Sequence, residues 1–90
     1  MLIVAGHLRV AVADREEFVT RSQEAVRLAR ATPGCYDFAV AADPLDAERV
    51  NVFERWSDRA TLLAFRGDGP DDDLGGFILA AAVEEYEVPD

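Results

Sequence analysis

The stretch CYDFAVAADPLDAERVNVFERW, residues 35–56, contains two strand patterns joined by a turn. In residues 35–42 larger apolar side chains alternate with smaller or polar ones, and residues 49–56 are rich in valine and aromatic residues. The segment between them includes Asp43-Pro44-Leu45-Asp46, which consists mainly of turn-forming residues. Two short strand patterns separated by such a turn predict an antiparallel β-hairpin.

A longer strand pattern, LIVAGHLRVAV, covers residues 2–12. A helical pattern follows over residues 15–31, where Asp14 and Glu17 are typical of a capping box. Pro33-Gly34 is expected to end this helix. Because strand side chains alternate between two faces, one face of the first strand is wholly apolar and consists of Leu2, Val4, Gly6, Leu8 and Val10.

Beyond the hairpin, Ser57 is expected to cap a second helix over residues 58–66. Residues 68–73 form an acidic loop that we predict to be a mobile lid, and residues 74–78 predict a short third helix interrupted by two glycines. A last strand pattern covers residues 80–88. The predicted apolar stripe of the second helix consists of Ala60, Leu63 and Ala64.

This order of elements, β-α-β-β-α-(α)-β, is the split βαβ arrangement of a ferredoxin-like fold. The predicted class is therefore α+β, with an antiparallel sheet covered by helices on one face. No internal repeat or linker interrupts the order. We expect residues 1–90 to form a single domain.

Charge and composition limit the classes of partner. The chain has 18 acidic and 9 basic residues and a formal charge of −9, which disfavours nucleic acid and anionic membrane surfaces as partners. Half of its residues are hydrophobic, which is enough for a packed core. We expect its partners to be small molecules or proteins, including a second copy of the chain.

Cys35 is the only cysteine, so the sequence predicts neither an internal disulfide nor a thiolate zinc cluster. The expected state of Cys35 is a reduced, partly buried thiol. No apolar run approaches the roughly 20 residues that span a bilayer, and the amino-terminal residues lack a signal-peptide pattern. The expected location is the cytoplasm.

Dimerisation is predicted from the sheet face that the helices leave uncovered. Leu2, Val4, Leu8 and Val10, or their counterparts on neighbouring strands, are expected on that face. A contiguous apolar face is unfavourable in water, and its burial is worth about 25 cal/mol per Å². The sequence therefore predicts a homodimer formed by sheet-to-sheet packing.

Three segments together resemble one known family. They are LIVAGHLRVAVADREEFVTRSQEAV at the start, Pro33-Gly34-Cys35, and VFERWSDRATLLAF after the hairpin turn. From Leu2 to Val88 the chain is similar to the antibiotic biosynthesis monooxygenase domain. The resemblance implies a dimeric α/β barrel and the cofactor-independent oxidation of quinols or polycyclic phenols, although relatives also bind and degrade haem, isomerise small metabolites or have no known activity.

The resemblance also suggests site residues. Trp56 falls on the tryptophan of the family's Phe-Glu-x-Trp pattern. Asn51 lies near a strand asparagine used by some members, although five residues separate it from Trp56 and place it on the opposite strand face. His7 stands where haem-degrading relatives have asparagine. Phe65 stands where many members have histidine, so neither haem ligation nor a general base is expected from that helix.

Oxidation of a quinol by O₂ without a cofactor requires the substrate to lose a proton, because the anion is the form that passes electrons to oxygen. The protein must supply a base, donors for the oxyanion and an apolar cavity. His7 is the predicted base, since histidine titrates near neutrality. Trp56 would donate its indole N–H, and Asn51 or Tyr36 would hold an oxygen. The predicted walls of the substrate pocket are Phe18, Phe38, Phe65 and Phe77.

Each residue also has a structural interpretation. His7 is alternatively a hydrogen-bonded strand residue, Trp56 a core residue and Asn51 a hairpin residue. The sequence contains no metal-ligand spacing and no nucleotide-binding motif, so no cofactor is predicted. The residues leave three alternatives for the function. His7 favours a cofactor-free monooxygenase, whereas Phe65 favours a non-catalytic dimeric ligand-binding module. An isomerase or a haem-handling relative is the third alternative.

Overall fold

A computed structural model describes residues 1–68 and 74–89 of the chain. Its regular elements are, in chain order, β1 (Leu2–Val10), α1 (Arg15–Arg30), β2 (Cys35–Ala42), β3 (Arg49–Trp56), α2 (Arg59–Asp68) and β4 (Ile78–Glu87). The strands form one sheet in the order β2-β3-β1-β4, and every neighbouring pair is antiparallel. The predicted ferredoxin-like α+β fold is confirmed.

Two short 3₁₀ turns, Val12–Asp14 and Leu74–Phe77, precede α1 and β4. The first runs directly into α1, so the predicted capping box is wrong: Asp14 has a helical backbone and its side chain makes no capping hydrogen bond. The second stands in place of the expected third helix, because its two glycines disfavour an α-helix. Residues 69–73 of the predicted lid lie outside the described residues.

The apolar face of β1 lies beneath the helices. Leu2, Val4 and Val10 are at most 1% exposed, and they pack with residues of α1 and α2 such as Val26 and Leu62. The expectation that these β1 side chains lie on the uncovered face is therefore wrong. The reason is that packing the larger aliphatic side chains against both helices removes the largest apolar surface area from water.

The core-facing side of α2 also differs from the predicted stripe. Leu62 is buried and Phe65 half-buried, whereas Leu63 is 54% exposed. The two buried positions are three residues apart and share one helix face, and they carry more apolar area than the alanines of the predicted stripe, Ala60 and Ala64, which are exposed.

The amino-terminal cap of α2 is Asp58 rather than Ser57. The Asp58 carboxylate accepts hydrogen bonds from the backbone N–H and the hydroxyl of Thr61, both at 2.8 Å. A carboxylate at this position also interacts favourably with the helix dipole. The helix consequently begins at Arg59, one residue later than predicted.

The Pro33-Gly34 junction positions α2 against the end of α1. Gly34 has φ +92°, which favours glycine, and a Cβ there would lie 2.8 Å from side-chain atoms of Ser57 and Thr61. Its carbonyl oxygen accepts a hydrogen bond from the backbone N–H of Ser57 at 2.7 Å. The glycine therefore allows the chain preceding β2 to touch the first turn of α2.

Within residues 1–68 and 74–89, no helix covers the opposite face of the sheet. Strand alternation and register place Ile3, Ala5 and His7 of β1 on this open face, beside Phe53 of β3 and Tyr86 of β4. Phe53 is 37% exposed and Tyr86 47% exposed. The open face thus carries aromatic and aliphatic side chains in contact with solvent.

Among residues 1–68 and 74–89, no helix has both the length and the apolarity that a membrane crossing requires.

Candidate functional site

Three aromatic rings meet between the sheet and α2. Trp56 at the end of β3 is fully buried, and its ring centroid lies 5.4 Å from that of Phe65 and 6.3 Å from that of Phe38. The rings of Phe38 and Phe65 are 6.0 Å apart and inclined by 63°. These separations are those of attractive aromatic pairs. We call Trp56, Phe38 and Phe65 the aromatic cluster.

A carboxyl group lies beside the aromatic cluster. Glu54 precedes Trp56 by two residues, so both side chains point to the helix-facing side of β3. Glu54 is only 8% exposed, and its Oε1 accepts a hydrogen bond of 3.0 Å from the indole Nε1–H of Trp56. Its register partners are Val4 on β1 and Phe38 on β2. An acidic side chain in such apolar surroundings is unusual.

Burial raises the pKa of the Glu54 carboxyl group above its ordinary value, because the charged form loses its hydration. The indole hydrogen bond and the guanidinium of Arg66 oppose this rise, and the negative charge of Glu85 adds to it. The net direction is upward. Glu54 therefore loses its proton at a higher pH than a carboxyl group in water.

Ion pairs connect α2 to β4 beside this carboxyl group. Arg59 hydrogen-bonds to Glu85 and lies 3.3 Å from Glu87, and Arg66 lies 3.6 Å from Glu85. Glu85 and Glu54 flank Val4 on its two neighbouring strands. The ion pairs therefore link α2 to β4 next to the buried glutamate.

Cys35 lies beside Trp56 in the pairing of β2 with β3. It is half-buried, and burial raises the pKa of its thiol. Its Sγ is 3.5 Å from the carbonyl oxygen of Asp37, to which the thiol donates. A protonated thiol is a weak nucleophile, so the geometry favours a packing role for Cys35, as the sequence predicted.

A groove of about 540 Å³ lies between the carboxyl end of α1 and α2. Leu28 and Pro33 line one side of this groove, and Ala60, Ala64 and Phe65 line the other. Phe65 thus separates the groove from Trp56 and Glu54. A second groove, of about 360 Å³, lies between the start of α1 and the β2–β3 hairpin, with Ala42 and Ala47 in its wall.

His7 and Asn51 lie on the open face, opposite the aromatic cluster. They are direct register partners on β1 and β3. The Asn51 amide donates to Asp43 at 3.0 Å, and its oxygen accepts from Arg49 at 2.7 Å. Because Asn51 and two backbone N–H groups donate to Asp43, the pKa of Asp43 falls to about 2. These contacts assign Asn51 a role in the hairpin, and they separate it and His7 from Trp56.

The remaining predicted wall residues are not in the aromatic cluster either. Phe18 and Phe77 form a second pair, with ring centroids 6.2 Å apart, and Arg21 lies over the ring of Phe77. Tyr36 is 56% exposed on the edge strand β2, beneath the guanidinium of Arg55. The fold therefore brings Trp56, Phe38 and Phe65 together and distributes the other predicted residues over three separate places.

Glu54 is the residue that the sequence analysis missed. The signal was present in the spacing: Glu54 and Trp56 are two residues apart in one strand, so a buried tryptophan implies that the glutamate points to the same apolar layer. Within the described residues, no cluster of three or more His, Cys, Asp or Glu side chains is arranged to hold a metal ion.

A family model and one curated relative match the chain. The family model "Antibiotic biosynthesis monooxygenase" matches residues 1–69. An uncharacterised protein of Synechocystis sp. is 33% identical over 61 residues, which are 68% of this chain and 42% of that protein. The chain therefore spans less than half the length of this curated relative.

Solved structures show the same fold. A candidate antibiotic biosynthesis monooxygenase of Nitrosomonas europaea superimposes with a TM-score of 0.82 at 13% identity, covering 98% of both chains. A candidate of the same family from Chloroflexus aurantiacus gives 0.81 at 23% identity, covering 99% of this chain and 92% of that one. The haem degrader MhuD of Mycobacterium tuberculosis, solved with two haems in its active site, gives 0.69 at 18% identity and covers 98% and 95%. With the Pro-Gly junction and the Phe-Glu-x-Trp strand both accounted for by the fold, the family match over residues 1–69 establishes that the chain belongs to the antibiotic biosynthesis monooxygenase family.

Proposed function

We propose that this domain is a cofactor-independent monooxygenase that oxidises a quinol or polycyclic aromatic molecule with O₂ beside the aromatic cluster. The observation that carries this proposal is a buried carboxyl group, Glu54, which accepts a hydrogen bond from Trp56 and has Phe38 as its register partner on β2. Such surroundings suit a flat aromatic ligand that must give up a proton.

The chemistry needs no group beyond the substrate and O₂. Removal of a proton from a substrate hydroxyl leaves an electron-rich anion, which transfers electrons to O₂. One oxygen atom then forms a bond to a ring carbon that carries hydrogen, giving a peroxide. Loss of the proton from that carbon breaks the O–O bond, leaves a carbonyl group on the substrate and releases the outer oxygen as water, so that both protons of the water and all the electrons come from the substrate. The protein contributes orientation of the ring, exclusion of water and acceptance of the proton.

A non-catalytic ligand-binding module is the second candidate. The observation in its favour is Phe65, whose ring packs directly on Trp56 and offers no proton acceptor. Haem handling is less well supported, because Phe65 supplies no ligand from α2 and the single histidine, His7, lies on the other face of the sheet.

The first test is oxygen consumption with a panel of anthrones, naphthols and hydroquinones, using protein dialysed against a chelator and without added flavin. We expect turnover of at least one compound by the wild type. Trp56→Phe should lower kcat/KM by about 10-fold, since the loss of one hydrogen bond of about 1.4 kcal/mol has that effect. Tyr36→Phe tests the predicted role of the Tyr36 hydroxyl, which lies at an exposed position on β2. Wild-type kinetics in this variant would show that the hydroxyl holds no substrate oxygen. Absence of turnover across the panel, with binding retained, favours the ligand-binding module.

We also propose that the chain works as a homodimer in which the open faces of two sheets pack together. Phe53 and Tyr86 contribute exposed aromatic area to that face, and β4 is exposed along most of its length. Pairing through this face would remove these side chains from water. It would also enclose His7, whose predicted role as a base is then available only inside the dimer.

Sedimentation equilibrium at micromolar concentration should give twice the chain mass of 9.9 kDa. Phe53→Glu places a charge in the proposed interface and should weaken association at least about 100-fold, since a buried unpaired charge costs several kcal/mol. The control is Leu63→Glu, at an exposed position on α2, which should remain dimeric. A monomeric wild type, or equal association of both variants, would contradict the dimer proposal.

A further inference from the structure

We infer that Glu54 is the catalytic base of the proposed monooxygenase and that Trp56 is the residue that positions its carboxylate. This inference rests on the proposed function and identifies the proton acceptor, a role that the sequence analysis assigned to His7. It follows from the burial of Glu54, its hydrogen bond with Trp56 and the partly accessible part of the sheet beside it.

The helix-facing side of the sheet is only partly covered. Beyond Glu54 it continues through Val52 on β3, Gly6 on β1 and Val83 on β4, which are register neighbours and are all partly accessible. Gly6 has no side chain, and Ala81 on β4 is exposed. These partly accessible positions begin two residues from Glu54 along β3. In the proposed complex an aromatic ring lies on them and directs its hydroxyl toward the carboxylate.

The hydrogen bond from Trp56 leaves the carboxylate free to act. The indole N–H occupies Oε1 of Glu54 at 3.0 Å, and a carboxylate has further lone pairs for a second donor. In the proposed step, the substrate O–H bond breaks, a new O–H bond forms on the carboxylate, and the electron pair stays on the substrate oxygen. The proton is returned to the departing oxygen when water is released.

The charged groups around Glu54 suit this step. Arg66 from α2 favours the carboxylate, Glu85 from β4 disfavours it, and the protonated thiol of Cys35 on β2 is neutral. Arg59 is bound to Glu85 and Glu87. Desolvation is the dominant influence and raises the pKa of Glu54, which brings its basicity closer to that of a phenolate and makes proton transfer easier.

Glu54→Gln is the decisive variant, because glutamine keeps an oxygen acceptor for the indole N–H but cannot accept a proton. Turnover should fall about 10²–10⁴-fold, the usual value of general-base help. The acidic limb of the wild-type pH–rate profile, which reports protonation of Glu54, should disappear in this variant. Glu24→Gln, on the exposed side of α1, is the matched control and should keep wild-type kinetics. Glu54→Asp keeps a carboxylate and should retain the acidic limb.

A binding experiment with 4-nitrophenolate tests the same assignment without turnover. The ionised wild-type carboxylate repels the phenolate, whereas glutamine resembles the protonated base. Glu54→Gln should therefore bind 4-nitrophenolate at least about 10-fold more tightly above neutral pH, as removal of one nearby like charge predicts. After correction for ionisation of the ligand, the affinity of the wild type for the phenolate form should fall as the pH rises through the Glu54 pKa, and that of the variant should not.

Unfolding by urea checks that the variant is folded. Since the pKa of Glu54 is raised in the folded state, its stabilising contribution is complete below the ordinary glutamate range and is lost as the pH rises through the folded pKa. The wild type should therefore lose stability relative to Glu54→Gln over that interval. A purely structural glutamate would give this result too, but not the opposite changes in turnover and phenolate binding.

The outcomes separate the two proposals. An active wild type with an equally active Glu54→Gln, or equal phenolate affinity in both at every pH, overturns the assignment of Glu54 and leaves the monooxygenase proposal standing. A larger loss of turnover in His7→Ala than in Glu54→Gln also overturns it and returns the role to His7. If the wild type neither consumes oxygen with the aromatic panel nor binds 4-nitrophenolate, the proposed function itself fails.

Discussion

Trp56→Ala is expected to lower the free energy of unfolding by about 3–5 kcal/mol, the usual cost of deleting a large buried aromatic side chain. Trp56 is 0% exposed and packs between Phe38, Phe65 and the aliphatic side chains of β1. Its loss also leaves Glu54 buried without its indole donor, which adds to the cost. Domains of this size have free energies of unfolding of only about 5–15 kcal/mol, so the expected loss is a large fraction of the total stability.

Urea unfolding at fixed protein concentration measures this effect, with the concentration held constant because association adds to apparent stability. Trp56→Phe is the matched variant: it retains most of the ring area but lacks the N–H, so its loss should be smaller. The difference between the two variants separates packing from the hydrogen bond to Glu54. A Trp56→Ala protein within about 1 kcal/mol of the wild type would contradict the placement of Trp56 in the core.

Gly6→Ala should destabilise the sheet by about 2–6 kcal/mol, the sum of backbone strain and overpacking. Gly6 has φ +153°, and a Cβ at this position would lie 2.0 Å from the backbone oxygen of Ala82 and 2.8 Å from Cα of Val83. These are backbone atoms of β4, which cannot move aside as a flexible side chain does. The clash of the alanine Cβ can therefore be relieved only if β4 separates from β1.

Hydrogen exchange locates the damage, since the amide protons of β4 that pair with β1 should lose protection before those of the β2–β3 hairpin. The control is Gly67→Ala in α2, where a Cβ meets no atom within 4 Å. This second substitution should be neutral or stabilise by about 0.5–1 kcal/mol, because alanine is the better helix former. Equal effects of the two substitutions would show that contact with β4 does not explain the glycine at position 6.

The order of elements was predictable because the signals for it are local. Alternating side chains around the 43–46 turn predicted the hairpin, and β2 and β3 have the predicted bounds. The composition of residues 2–12 predicted β1, although its end is two residues earlier. The caps of both helices were predicted less well, since a capping side chain depends on the backbone conformation of one residue. Asp14 belongs to a preceding 3₁₀ turn and has a helical backbone, and Asp58 caps α2 instead of Ser57.

The site was predictable only in part. Sequence spacing alone separated Asn51 from Trp56, and the structure places them on opposite faces of β3. The same rule, applied to Glu54, would have placed its carboxyl group beside the indole. Sequence spacing does not show which face of the strand lies beneath the helices. Without that information, a glutamate on a strand is expected to be exposed to solvent.

What the sequence determined by itself is the alternation within each strand, the succession of strands and helices and the family to which their motifs belong. Only the tertiary structure decided that the apolar face of β1 meets the helices, that His7 lies on the open face and that Glu54 is buried against Trp56. The physical reason is range. Alternation is fixed by the covalent geometry of one strand, whereas the burial of a face and the pKa of its carboxyl group depend on segments as far apart in the chain as β1, β3 and α2.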